Sequence, residues 1–168
     1  MSTNFIGRPA GSRHDAPTTA VPWLTPEEER AWRAFRRLLT VLPARTARDL
    51  AADSGLSAPD YEVLSTLSER DGRRRALKDL AAKMEWSRSR LSHHIDRMEV
   101  RGLVERHPDP SDARGCVIEL TDHGFEVLEQ AAPHHVRSVR RRLVDHLTSD
   151  ELRVLERISS RIADLPDA

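Results

Sequence analysis

Cysteine occurs once in the 168 residues, as Cys116, so no disulfide can form within the chain. Aromatic residues make up only 4% and charged residues 32%, the composition of a soluble, helix-rich protein. No apolar run approaches the length of a membrane span. The N-terminus lacks the charged-then-apolar pattern of a signal peptide, which predicts a cytoplasmic location. Net charge is absent too: 27 basic residues meet 27 acidic ones, so bulk charge does not announce a nucleic-acid partner. The chain has no internal repeat and no low-complexity core, and its length suits one compact domain or two small ones sharing a core. Residues 1–22 carry Gly7, Pro9, Gly11, Pro17 and Pro22 without any apolar period, and are predicted to form a flexible tail.

What the chain does have is a repeated helix-start grammar. A capping Ser or Thr precedes several of the helical patterns, and its side-chain oxygen accepts from a free N–H of the first turn. "TPEE" opens the first helix, with Thr25 as cap, Pro26 at the first position and Glu28 completing a capping box. Trp32, Phe35, Leu39 and Leu42 follow at helical spacing. Pro43 is expected to kink or interrupt this helix, and Gly55 to end its second segment. "LSAPDY" opens the next helix at Ser57, and "RDGRRR" ends it. A short helix with Leu77, Leu80, Ala81 and Met84 on its apolar face comes next, and "EW" makes a turn.

Ser87 then caps a helix that runs to Gly102 and places Leu91, Ile95 and Met98 on one face. At about 100° per residue, Ser89, His93 and Asp96 point away from that face, flanked by Arg90, Ser92 and Arg97. Arg88 lies nearer the apolar edge but sits in the first turn, from which it reaches outward. The period then changes. "LVERH" and "GCVIEL" are β-prone, and "PDPSDAR" between them is rich in turn formers, which predicts a hairpin with a long tip. Thr121 opens a long helix with Leu128, Ala132, Val136, Val139, Leu143 and Leu147 in its stripe, bent or interrupted at Pro133. Thr148 and Glu151 open the last, striped by Leu152, Leu155, Ile158, Ile162 and Leu165.

Three helices followed by a hairpin make a winged helix-turn-helix, whose third helix enters the DNA major groove N-terminal end first. Small hydroxyls and long cations on that first turn suit the task. Arginine pairs with guanine, serine and histidine bond base edges or phosphates, and a helix N-terminus favours phosphate. Ser87, Arg88, Ser89, Arg90, Ser92, His93 and Arg97 are therefore the predicted DNA-contacting residues of this helix. From Arg70 to Arg106 there are eleven cations against six anions, a local surplus of the kind that supplies salt-dependent affinity for DNA.

"LSAPDYEVLSTLSER" and "LKDLAAKMEWSRSRLSHHIDRMEVRGLVERHPDPSDARGCVIELTDHG", with their flanking long helices, resemble the MarR family of multiple antibiotic resistance regulators over roughly residues 25–165. The wing segment "DPSDAR" followed by "ELTDHG" is the more specific part. The resemblance implies a mainly α fold with a small β-wing: a winged helix-turn-helix over 57–120, and a helical dimerisation domain from 23–56 and 121–165. It implies a homodimer reading a pseudo-palindromic operator in double-stranded DNA. The apolar stripes of the first and last helices favour the same conclusion, since a monomer leaves them partly exposed. Arg114 matches the family's wing-tip arginine that enters the minor groove, and Asp112 would steady it. Ser111 stands where many relatives have arginine. The family commonly binds small, often aromatic anions between its dimer helices and its DNA-binding domain. Trp32 and Tyr61 are the candidates for lining such a pocket, against the plainer reading of both as core.

Other chemistries find less support. Adjacent histidines in the pairs His93–His94 and His134–His135 point about 100° apart on a helix, a poor arrangement for one metal ion. Cys116 is in phase with Ile118 and Leu120 and reads as a small buried hydrophobe, not a redox sensor. No nucleophile motif or phosphate loop appears, so no enzymatic activity and no cofactor are expected. The resulting expectation is a dimeric repressor released by an effector. The alternative is an architectural DNA-binding protein without one.

Overall fold

The structure, a computed structural model, describes residues 22–166, apart from the side chains at positions 113 and 114. Except for Pro22, the predicted N-terminal tail lies outside the described residues. The chain divides into two compact units, Met1–Val41 and Leu42–Ala168. No helix among the described residues is long and apolar enough to cross a membrane.

The described part of the first unit is mainly the N-terminal portion of α1 (Pro26–Ser54). Its capping box is reciprocal. The Glu28 amide donates to Thr25 Oγ1 at 3.3 Å, and the Thr25 amide donates to Glu28 Oε2 at 2.7 Å. Glu27, Glu28 and Glu29 place negative charge on the positive end of the helix dipole. Trp32, Phe35, Leu38 and Leu39 are all exposed along this portion.

Pro43 does not interrupt α1, the stronger of the two effects expected of it: the helix runs through it to Ser54. A proline removes one ladder hydrogen bond and crowds the preceding turn. Intact turns on both sides keep the helix continuous, and Thr46 Oγ1 donates to the carbonyls of Leu42 and Pro43, at 3.1 Å each.

In the second unit, α2 (Ala58–Ser68) starts at a capping box in which Asp60 takes the third position, accepting from the Ser57 amide at 3.0 Å. Val63, Leu64 and Leu67 are fully buried on its inner face. The sequence "RDGRRR" does more than end this helix. After Gly72 (φ +71°), residues Arg74–Ala76 form a strand, β1, that the sequence reading missed. It joins α3 (Leu77–Lys83) and α4 (Arg88–Val100) to a wing made of β2 (Val104–Asp109) and β3 (Asp112–Leu120). The sheet is antiparallel in the order β1-β3-β2, with Arg74 opposite Glu119 and Ala76 opposite Val117.

The hairpin tip is tighter than expected. The strands extend into "PDPSDAR" until Asp109 faces Asp112, with an irregularity at Pro108/Asp109. Asp109 closes the turn by accepting from the Ser111 amide at 2.9 Å and from its hydroxyl at 2.7 Å. These bonds, Ser111's hydroxyl first, hold the Asp109 carboxyl below its ordinary pKa.

Thr121 caps α5 (Asp122–Arg142), which passes Pro133 unbroken. The helix stops at Arg142 and does not reach Leu147; a single 3-10 turn, Val144–His146, follows. Its buried face also differs from the predicted stripe. Leu128, Ala131 and Ser138 are buried, whereas Val136 is exposed. Gly124 marks where α5 meets the wing: a Cβ there would lie 2.0 Å from the Leu103 carbonyl oxygen, so only glycine permits this approach. The core runs from Leu50 and Leu56 through α2, α3 and α4 to Ile118, Leu120 and Leu128, with Cys116 packed at its edge. The last helix, α6 (Ser149–Ala163), begins at a Thr148–Glu151 capping box and has no buried residue.

Candidate nucleic-acid interface

The turn into α4 is built by Glu85, a non-glycine residue at φ +53°, which brings the Trp86 amide to the Ala81 carbonyl at 2.9 Å. Ser87 then takes an extended conformation, and its hydroxyl accepts from the Arg90 amide at 3.2 Å. Leu91, His94, Ile95 and Met98 form the buried face of α4. Ser87, Arg88, Ser89, Arg90 and His93 are all exposed, as the helical spacing requires. Trp86 is half-buried, and its ring carries the Arg90 guanidinium 3.9 Å from the centroid. The cation is thereby held on the surface against an aromatic face.

Three predicted residues have more structural work than expected. The Ser87 hydroxyl is the helix cap. Ser92 gives its carbonyl to Arg106 NH2 at 2.8 Å, with its hydroxyl 3.3 Å from the same nitrogen. Arg97 folds back along the helix, donating to the His93 carbonyl at 3.0 Å and to His94 Nδ1 at 2.8 Å.

Arg106, on β2, was not singled out from the sequence, yet it is the main polar tie between wing and helix. Its NH1 lies 2.5 Å from Asp96 and 2.9 Å from Glu99, and its amide donates to Glu99 Oε1 at 3.0 Å. The Asp96 carboxyl is held below its ordinary pKa, chiefly by the hydrogen bond from Arg106. His93 Nδ1 lies 3.7 Å from the other oxygen of Asp96. The outer face of α4 thus offers hydroxyl, imidazole and guanidinium groups, while its carboxylates are engaged by Arg106.

Near the tip of the wing, Lys78, Arg88, Asp109, Asp112, Gly115 and Cys116 help line one cleft of about 430 Å³. Arg88 and Asp112, far apart in sequence, come together there. Arg114 lies in β3, but its side chain is outside the described residues.

A second concavity, about 280 Å³, lies among Thr46, Leu50, Tyr61, Glu62, Thr66 and His135. The Tyr61 and His135 rings are 4.4 Å apart, and His135 Nδ1 is buried without a hydrogen-bond partner. Burial pushes the His135 pKa down and that of Tyr61 up, so both rings are neutral near pH 7. Beside it, Asp49 accepts from Ser138 Oγ at 2.6 Å, from Arg141 at 2.8 Å and from Arg142 at 2.9 and 3.0 Å. These contacts, Arg142 foremost, hold the Asp49 carboxyl far below the usual carboxylate range. Tyr61 therefore lines a cavity. Trp32 is exposed in the first unit, beside Phe35 at 6.1 Å between ring centroids.

Comparisons with known proteins agree with this architecture. Residues 54–115 match the family model described as MarR family. The crystal structure of AbsC, a MarR family transcriptional regulator from Streptomyces coelicolor, is 42% identical, with a TM-score of 0.81 over 86% of this chain and 97% of that one. Sco3205, another MarR family transcriptional regulator from Streptomyces coelicolor, was solved in complex with DNA. It is 38% identical, with a TM-score of 0.83 over 88% of this chain and 94% of that one. The multiple antibiotic resistance protein MarR of Salmonella typhimurium is 33% identical over 72 residues, which are 43% of this chain. The match spans only half the length, 50%, of that curated relative.

Proposed function

The chain belongs to the MarR family, and on that footing we propose that it is a homodimeric, sequence-specific DNA-binding transcription regulator, a repressor released by a small effector. The observation that carries the reading is the first two turns of α4, where Arg88, Ser89, Arg90 and His93 stand exposed. In this reading residues 57–120 are the DNA-binding domain. Ser87, Ser92 and Arg97 support or extend the α4 contact, and Arg114, steadied by Asp112, reaches the minor groove. The complex of Sco3205 with DNA supports it.

Residues 23–56 and 121–165 form the dimerisation domain in this proposal. Its support is unpartnered apolar surface: Val154, Ile158, Ile162 and Leu165 on α6, and Trp32, Phe35, Leu38 and Leu39 in the first unit, are all exposed. Exposed apolar residues recurring along a helix face mark an association site. The cavity at Tyr61 is the effector site of the proposal. Among the described residues Glu62 is its only charged lining residue, and His135 is neutral there, so the lining favours an uncharged aromatic ligand over the aromatic anion expected by resemblance.

Selection of bound duplexes from a random pool tests the reading. An enriched inverted repeat, with half-sites about ten base pairs apart, is the expected result. Absence of enrichment, with binding that simply fades as salt rises, would replace it with the architectural alternative.

A further inference from the structure

α4 contains a polar cluster on its buried side that the DNA-binding reading does not use. His94 and Asp60 are 6% and 4% exposed. Asp60 Oδ2 accepts from Arg101 NH1 at 2.8 Å and from the Ser57 amide at 3.0 Å. Its Oδ1 lies 3.1 Å from His94 Nε2, but off the line of a well-formed hydrogen bond. The Trp86 ring meets the His94 ring edge-on at 5.6 Å. On the other side of the imidazole, Nδ1 takes the bond from Arg97 at 2.8 Å.

That last contact fixes the state of the ring. A guanidinium has only donors, so Nδ1 must be the acceptor and the proton must sit on Nε2. His94 is therefore a neutral imidazole wherever Arg97 is bound to it. Arg97 itself is exposed, and these two inward bonds, to His94 and to the His93 carbonyl, bend it back along the helix.

We propose that His94 is a positioning residue that holds Arg97 in reserve, and that protonation of Nδ1 releases the Arg97 guanidinium to the DNA phosphates. The proton comes from solvent. It removes the acceptor, sets an N–H against a cation, and leaves the imidazolium to pair with Asp60. The charged groups facing the ring are Asp60 from α2 and Arg97 and Arg101 from α4 itself; Arg90 lies over the neighbouring Trp86 ring. Burial is the largest influence and lowers the His94 pKa below its ordinary 6.5; Asp60 opposes it, and the two arginines reinforce it. Release therefore belongs to conditions more acidic than pH 6.5.

The inference rests on the DNA-binding reading of α4, and its test separates the two. The salt dependence of binding to a selected duplex would be measured from pH 7.5 to pH 5 for the wild type, Arg97→Ala, His94→Asn and the double variant. Asparagine keeps an acceptor near Nδ1 but does not titrate. At pH 7.5 the wild type and Arg97→Ala are expected to share one slope. At pH 5 the wild type should be steeper by about 0.9, the contribution of one phosphate contact. In the His94→Asn background, Arg97→Ala should change nothing at either pH. Charge gained elsewhere in the protein is common to all four proteins and cancels.

A slope already lower in Arg97→Ala at pH 7.5, or no difference at pH 5, would overturn the proposal. So would a pH-dependent difference that survives His94→Asn. If none of the proteins binds DNA, the DNA-binding reading fails by itself. Nitrogen-15 NMR then decides the reserve separately: Nδ1 of His94 should be unprotonated at pH 7.5, and the Arg97 side-chain signals should shift with the His94 midpoint. Arg97 signals indifferent to that midpoint would end the idea.

Discussion

Helices α4 and α6 are close in length, both start at a hydroxyl cap, and both segregate apolar from polar residues. Their fates differ. Leu91, Ile95 and Met98 of α4 are completely buried, whereas Val154, Ile158 and Ile162 of α6 stay 42%, 40% and 53% exposed. The periodicity of α6 is the cleaner of the two, so amphipathicity alone does not say where a face is covered. It says only that covering it is favourable. For α4 the cover comes from α2, α3 and the wing of the same chain. For α6 it is proposed to come from a second copy.

The largest expected effect attacks the internally covered face. Leu91→Ala should cost about 2–5 kcal/mol of folding stability, the range for a buried leucine whose cavity collapses only in part, read from chemical denaturation. A loss as small as that of a surface substitution would show that the α4 core is loosely packed. Ile158→Asp is the counterpart. It should abolish self-association in sedimentation while leaving the helical signal of the isolated chain nearly unchanged. A monomer–dimer equilibrium unmoved by this change would place the dimer surface elsewhere.

A smaller effect probes the polar contacts of α4. Arg106→Ala should remove about 1 kcal/mol, since its partners are partly solvated and surface ion pairs contribute little each. Cross-strand and helix amide exchange near Asp96 and Glu99 should rise together. Exchange rising on the wing alone would argue that the tie is not mechanical.

pH sharpens the contrast again, because α4 buries a titratable group and α6 buries none. The folded-state pKa values of His94 and His135 both lie below the ordinary 6.5, with burial as the leading cause. The unfolded chain then binds more protons than the native one as pH falls through 6.5, so stability is complete above that value and declines below it. Thermal unfolding from pH 7.5 to 5.5 should show a falling midpoint, and His135→Asn should flatten part of the fall. A midpoint that rises toward acid would contradict the assigned directions. The smallest effect in stability is at the surface: His93→Ala should leave unfolding unchanged but alter the preferred bases in a panel of mutated operators.

The sequence disclosed what is local. Ser57, Ser87, Thr121 and Thr148 cap the predicted helices because a cap is decided within one turn. The outward set on α4 was legible for the same reason, since helical spacing alone orients Ser89 and His93. Strand β1 was not legible: Arg74–Ala76 has no alternation, and its conformation comes from pairing with β3 over forty residues away. Arg106, and the ties of Asp60 to Arg101 and His94, escaped notice because the partners lie in other elements, whereas the place of Asp60 in the Ser57 cap is local. The hairpin tip was misjudged because turn-forming residues within a strand pair read as loop until Asp109 and Ser111 are seen to close it. Pro43 misled in the other direction, since helix continuity depends on the turns around a proline as well as on the proline.

Arg106 has a further consequence. One guanidinium, anchored in a strand, grips two carboxylates and a carbonyl of the helix beside it. In mechanical language it is a brace across a joint, and a brace narrows the play of the joint. In the proposed complex, it would narrow the range of pitch between the helix in one groove and the wing in the next. An effector that widened or narrowed the stance of the dimer would then change the spacing of the two reading heads more than the shape of either.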